Sequence, residues 1–255
     1  MARFLLAFLV ILVSILWSQG PASAEDPNAW FSRYRNDLQE LAALSREPGK
    51  AEDGLSRAQS FIRRLMAQEA GQGPQCLVYA RVLLLKAIFE ADLDRWDEAV
   101  WDYQVAVNLD PAVADFQFTD YPNLASRFFQ ARDEQAKIRN AVSSGADVVV
   151  LRPEGVSSVP ALTFRKAKHV DPEYPVAFRK ANLGASVEIH IVIDENGAPG
   201  TPVFSGDCTV APFFVAAAEA LRQWRYHPIT IEGQKAAVLT KTRTEFSLHP
   251  GGDLP

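Results

Sequence analysis

Four histidines (His169, His190, His227 and His249) and two cysteines (Cys76 and Cys208) are the side chains of this 255-residue chain best suited to hold a metal or attack a substrate. A catalytic zinc site of the H-E-x-x-H kind needs two histidines one helical turn apart, and a structural zinc site needs closely paired cysteines. Neither spacing occurs. A G-x-S-x-G nucleophile turn and a Walker-type glycine loop are absent as well, so an activated serine and a phosphate cradle both lack their scaffold. The expectation is a protein with no catalytic residue, no metal and no cofactor, its histidines lying on the surface or in a sheet. A formal charge of −5 argues against nucleic acid, because counterion release needs a basic surface.

The chemistry the sequence does favour is recognition. Over 238–248 the residues alternate strictly: Val238, Thr240, Thr242, Thr244, Phe246 and Leu248 share one face, and Leu239, Lys241, Arg243, Glu245 and Ser247 the other. A terminal strand with a charged outer face has two uses. It offers its backbone edge to an extended partner, with Lys241, Arg243 and Glu245 as the candidate contacts, or its charges keep unwanted strands away.

The elements that position this strand are legible upstream. Val187, Ile189, Ile191 and Ile193 mark one face of a strand over 187–193, and Asp194-Glu195-Asn196-Gly197 supplies a turn that tolerates positive φ. Residues 201–205 return as a second strand. Phe214, Ala217, Ala218, Leu221 and Trp224 then form the buried stripe of a helix over 212–224, with Pro212 near its first turn. The predicted C-terminal unit, 171–255, is therefore an antiparallel sheet with one helix in ββαβ order.

Residues 25–145 read as helical. Leu38, Leu41, Ala42 and Ser45 share a face before Gly49; Phe61, Ile62, Leu65 and Met66 share another; residues 76–91 and 96–109 form a pair stopped by Pro111, and 120–141 is a further helix. Residues 146–170, with Pro153 and Pro160, have no helical period and are expected as an extended connector. Arg3 followed by an uncharged run to Trp17 and then Ala22-Ser23-Ala24 is the pattern of a secretory signal over 1–24. Cleavage there places the mature chain, beginning at Glu25, outside the cytoplasm; an uncleaved segment would be a membrane anchor. Cys76 and Cys208 are expected as two thiols, with a single bridge as the other arrangement open to them in an oxidising compartment.

Two resemblances follow from these residues. Trp96, Ala99, Tyr103, Ala106 and Pro111 resemble the second helix of a tetratricopeptide repeat, giving one such unit over about 78–111, although Lys86 and Glu90 fall where that repeat has apolar and aromatic residues. Pro172-Glu173-Tyr174-Pro175 with Ala177, Gly184-Ala185-Ser186-Val187, the Asp194–Gly197 turn, Ala217 to Leu221, Trp224-Arg225-Tyr226-His227-Pro228, Gly233 and Phe246-Ser247-Leu248 together resemble the C-terminal domain of the TonB family over about 161–248. The whole is then an α+β multidomain chain, with a helical, tetratricopeptide-like N-terminal domain and a TonB-like C-terminal one.

The TonB resemblance implies a binding protein that takes an extended segment of an outer-membrane or other envelope protein beside its last strand, with self-association through that strand as a further use. Two features depart from the family: the membrane helix that engages an inner-membrane motor is replaced by a cleavable signal, and the long proline-rich spacer by a helical domain. The resemblance therefore implies a periplasmic adaptor. An energy transducer with an uncleaved anchor, and an envelope scaffold using the helical domain, are the alternatives.

Overall fold

The computed structural model describes residues 27–68, 75–143, 148–152, 155–158, 162–204, 206 and 208–248; the expected signal over 1–24 lies outside them. Five helices come first: α1 (Pro27–Leu44), α2 (Ala51–Gln68), α3 (Gln75–Asp92), α4 (Trp96–Leu109) and α5 (Pro122–Ser143). Gly49, at φ 77°, supplies the left-handed turn between α1 and α2. Pro111 ends α4, and the Asp110 carboxylate accepts from the Ala112 N–H at 3.1 Å to start a short 3-10 turn. Ala87, Ala99 and Ala106 are fully buried and let α3 and α4 lie close. Tyr103 fills the remaining space, its ring 4.9 Å from Phe128 and 6.0 Å from Phe118.

The misfit residues of the repeat-like pair have a structural reason. Lys86 and Glu90 on α3 and Asp102 on α4 are all buried, and the Lys86 ammonium donates to Glu90 at 2.9 Å and to Asp102. Burial lifts the Glu90 carboxyl well above the ordinary carboxylate range, and the neighbouring Asp102 adds to it. Burial works against the charge on Arg222, but Asp102 and Glu219 outweigh it and hold the guanidinium charged. Arg222 caps the one long helix of the C-terminal part, so the ions that spoil the repeat pattern face that part.

The C-terminal part is built from β1 (Val149–Arg152), β2 (Gly155–Ser158), β3 (Lys166–Lys168), α6 (Val176–Lys180), β4 (Ala185–Ile193), β5 (Pro199–Phe204), α7 (Ala211–Leu221), β6 (Arg225–Tyr226), β7 (Thr230–Ile231), β8 (Gln234–Lys235) and β9 (Ala237–Phe246). The main sheet is antiparallel in the order β2-β1-β9-β4-β5. The ββαβ unit expected from the sequence is β4-β5-α7-β9. Residues 146–170 do more than connect: they contribute β1 and β2 to that sheet and β3 to a small pairing with β6.

Both faces of the sheet are used. Val187, Ile189, Ile191 and Ile193 are buried on the α7 side, as their alternation predicts. On the other face Val149, Val192, Val203 and Leu239 cluster with Ile138 from the end of α5. The larger apolar cluster runs from Tyr34 to Phe246, so the helical part and the sheet share a core.

The cysteine expectation needs correction. Cys76, at the start of α3, is disulfide-bonded, and Cys208 is the one other cysteine of the sequence. The short 3-10 turn Cys208–Val210, which follows β5, packs against α3. Sequence separation hid this pairing because it spans the junction between the two parts of the chain.

Candidate functional site

β9 has the alternation read from the sequence, and β4 pairs with it along its whole length, from Ala185 opposite Phe246 to Ile193 opposite Val238. The other side of β9 is divided. β1 covers its beginning, with Val149 opposite Leu239, Val150 opposite Val238 and Leu151 opposite Ala237. Val149 and Val150 are both buried, so this cover is packed in place. From Thr240 to Phe246 no strand pairs with the outer side of β9 among the described residues. The edge expected over 238–248 is thus shortened to 240–246.

Lys241, Arg243 and Glu245 all lie on this open stretch and are exposed on the same face. Register places Lys241 opposite His190, Arg243 opposite Glu188 and Glu245 opposite Ser186. Ser186 Oγ donates to Glu245 Oε1 at 2.9 Å, and Arg243 Nε lies 3.4 Å from the same carboxylate oxygen. The face carries two cations followed by a carboxylate, with Glu188 opposite Arg243, and such exposed pairs contribute little to stability.

The opposite face of the stretch is firm. Thr240 and Phe246 are buried and Thr242 and Thr244 half-buried. The Phe246 ring packs 4.9 Å from Phe213 and 5.6 Å from Tyr174, whose hydroxyl donates to the Leu183 carbonyl at 2.7 Å. Gly184 completes the lock: a Cβ there would lie 2.3 Å from the Phe246 carbonyl oxygen, so only glycine allows β4 and β9 to meet at this end. The Tyr174-Pro175 motif of the sequence therefore braces the end of the open strand.

The far edge of the sheet is closed in a way the sequence did not signal. Asn108 on α4 donates from Nδ2 to the Pro202 carbonyl at 2.8 Å and accepts at Oδ1 from the Phe204 N–H at 3.0 Å. Its side-chain amide stands in for the peptide group of a neighbouring strand. Gln135 on α5 donates to the same Pro202 carbonyl at 2.8 Å, and Arg139 donates to Asn108 Oδ1 at 3.1 Å. A polar residue three positions before a helix's proline stop carries no pattern that separates this role from ordinary surface.

Among the described residues no three histidine, cysteine, aspartate or glutamate side chains gather where they could share a metal. His190 sits in β4 and His169 packs 4.5 Å from the Trp224 ring. Trp224 itself is buried, with its indole N–H donating to the Val170 carbonyl at 2.7 Å. It is a structural aromatic. No helix among the described residues is long and apolar enough to cross a membrane.

Comparison with known proteins places the C-terminal part. Residues 170–248 match the family model described as Gram-negative bacterial TonB protein C-terminal, which bears out the resemblance carried by the Tyr174, Trp224 and Phe246 motifs. A solution NMR structure of the Pseudomonas aeruginosa TonB CTD is similar at 16% identity over 38% of this chain and 97% of that one, with a TM-score of 0.32. No curated protein matches the chain.

Proposed function

We propose that this protein is a periplasmic adaptor that binds an extended segment of an envelope or outer-membrane transport protein by adding it as a strand to β9 over 240–246. The family match over 170–248 supports a TonB-like, protein-interacting role in envelope transport. The observation that carries the finer reading is the open stretch of β9 backbone in a sheet whose other long edge is capped by side chains. Main-chain hydrogen bonds would supply affinity, with Lys241, Arg243 and Glu245 selecting side chains on the incoming strand. The disulfide at Cys76 suits an oxidising compartment outside the cytoplasm, and the binding role needs no catalytic group.

Successive prolines test the site. Thr242→Pro and Arg243→Pro remove adjacent N–H groups, one directed at β4 and the next at the open side. The variant that keeps its thermal unfolding temperature is the one blocked at the open edge. That variant should lose capture of detergent-solubilised outer-membrane proteins that the unmodified chain retains. Equal capture by the two would overturn strand addition. Sequencing the mature N-terminus separates the adaptor, which begins at Glu25, from an anchored transducer, which keeps Met1 or Ala2.

A further inference from the structure

A cleft of about 870 Å³ opens where the helical part meets the β5 flank. α4 and α5 form one wall; the β4–β5 turn, the end of α7 and the β3–β6 pairing form the other. We infer that this cleft binds a short peptide with free ends, its carboxylate at the sheet wall and its ammonium at the helical wall. The site lies on the flank away from the open stretch of β9 and does not depend on strand addition. The helical wall and Lys168 also lie outside the family-matched segment 170–248.

Charge sorts the two walls. Lys168 and Arg225 lie opposite each other in the β3–β6 pairing, an unfavourable match of like charges. Neither is in an ion pair among the described residues, and Arg225 donates only to the carbonyls of Arg222 and Trp224. The acids of that wall are already engaged. Asp194 accepts from the Asn196 and Ala198 N–H groups, and Glu219 pairs with Arg222 at 2.5 Å. Across the cleft Asp97, Glu98 and Glu134 line the helical wall, again without an ion pair among the described residues. Arg127, the cation lining that wall, lies over the Trp96 ring at 4.2 Å.

The floor calls for hydrogen-bond acceptors. Trp101 is only 5% exposed, and its indole N–H has no partner among the described residues. Arg222 Nε and Nη1 are buried and unpartnered as well. Buried N–H groups are nearly always bonded, and peptide carbonyls supply acceptors between two charged ends. Val192 and Ala131 add apolar surface. β5 enters the cleft at Thr201, a β-branched residue held at φ 44°, and such strain persists only where the surroundings fix it. Asn108 and Gln135, bonded to the Pro202 carbonyl, set the spacing of the walls before any ligand arrives. The volume suits a ligand of a few residues. A simple anion would meet the acids of the helical wall, and an uncharged sugar would leave both sets of charges unanswered.

The test is isothermal titration calorimetry on the full purified chain, with trialanine and pentaalanine as probes. Both should bind saturably, and their C-terminal amide and N-acetyl forms should bind about tenfold more weakly. Lys168→Gln with Arg225→Gln should cost the free peptide about tenfold and the C-terminal amide nothing further, because the lost contact is the same. Asp97→Asn with Glu134→Gln should behave likewise toward the N-acetyl peptide. All four side chains are exposed, so the unfolding temperature should hold in both variants. Trp101→Phe keeps a ring and removes the N–H, and should weaken free and blocked peptides alike by about threefold to tenfold. No saturable binding at millimolar probe, blocked peptides that bind as well as free ones, or losses that fail to follow the matching terminus would each overturn the inference.

Discussion

At β5 the sheet ends against the carboxamides of Asn108 and Gln135, whereas at β9 the backbone beyond Leu239 pairs with no further strand among the described residues. Both are flanks of the same sheet, and both begin as rows of peptide groups able to recruit another chain. The helical part removes one of them by supplying a substitute peptide from a side chain. β1 removes only the first part of the other. Closure of β5 leaves 240–246 and the outer side of β2 as the unpaired strand backbone of this sheet among the described residues, and the closing side chains lie outside the family-matched segment.

This comparison can be broken most severely at the ions behind the closed flank. Lys86→Met leaves Asp102 and Glu90 buried without their shared cation, and should cost about 3–5 kcal/mol in urea unfolding. A loss below about 1 kcal/mol would mean that the cluster does not hold α3 and α4 in place behind the sheet. Asn108→Ala opens the β5 flank itself. It removes both substitute-peptide bonds and should cost about 1–3 kcal/mol, with faster hydrogen exchange at the Phe204 amide as the local signature.

Glu90→Gln sharpens the picture through pH. The Glu90 carboxyl is raised in the folded protein, so the folded state keeps a proton that the unfolded chain releases. That contribution is fully present below the ordinary glutamate range and is lost as pH rises toward the ionisation of Glu90 in the fold. The glutamine variant lacks this dependence, so its unfolding temperature should exceed that of the unmodified protein by a margin that grows with pH, reaching a few °C. A margin that does not change with pH would place the proton elsewhere. The smallest effects belong to the open flank: Lys241→Ala, Arg243→Ala and Glu245→Ala should each change stability by less than about 0.5 kcal/mol. A larger loss at any of them would make that charge part of the fold and not of a binding surface.

Much of the C-terminal fold was legible because its elements are local and periodic. The alternation of β4 and β9, the Asp194–Gly197 turn and the buried stripe of α7 each declare themselves within a dozen residues. In that turn the Asp194 carboxylate accepts from the Asn196 and Ala198 N–H groups, and Gly197 adopts φ 86° as the Asn-Gly pair suggests. What escaped notice depends on distant partners. Val149-Val150-Leu151 is a short run beside Pro153, and nothing nearby says that it pairs with Ala237–Leu239 far along the chain. The cysteines were separated for the same reason. Lys86 and Glu90 looked like failures of a repeat, and they mark instead the place where the repeat-like pair turns toward α7. Lys241, Arg243 and Glu245 are exposed, as their alternation suggests, but the extent of open backbone beside them cannot be read locally, because its limit is set by β1.

β9 lies in the middle of the sheet although it is the last in chain order of the described elements. Among the described residues the β1–β2 and β4–β5 hairpins are joined by strand pairing only through it. A chain emerging from its N-terminus must therefore carry two valine- and isoleucine-rich hairpins, each lacking its neighbouring strand, until β9 arrives. Loss of Ala237–Phe246 would not trim an edge. It would leave the sheet as two unconnected halves.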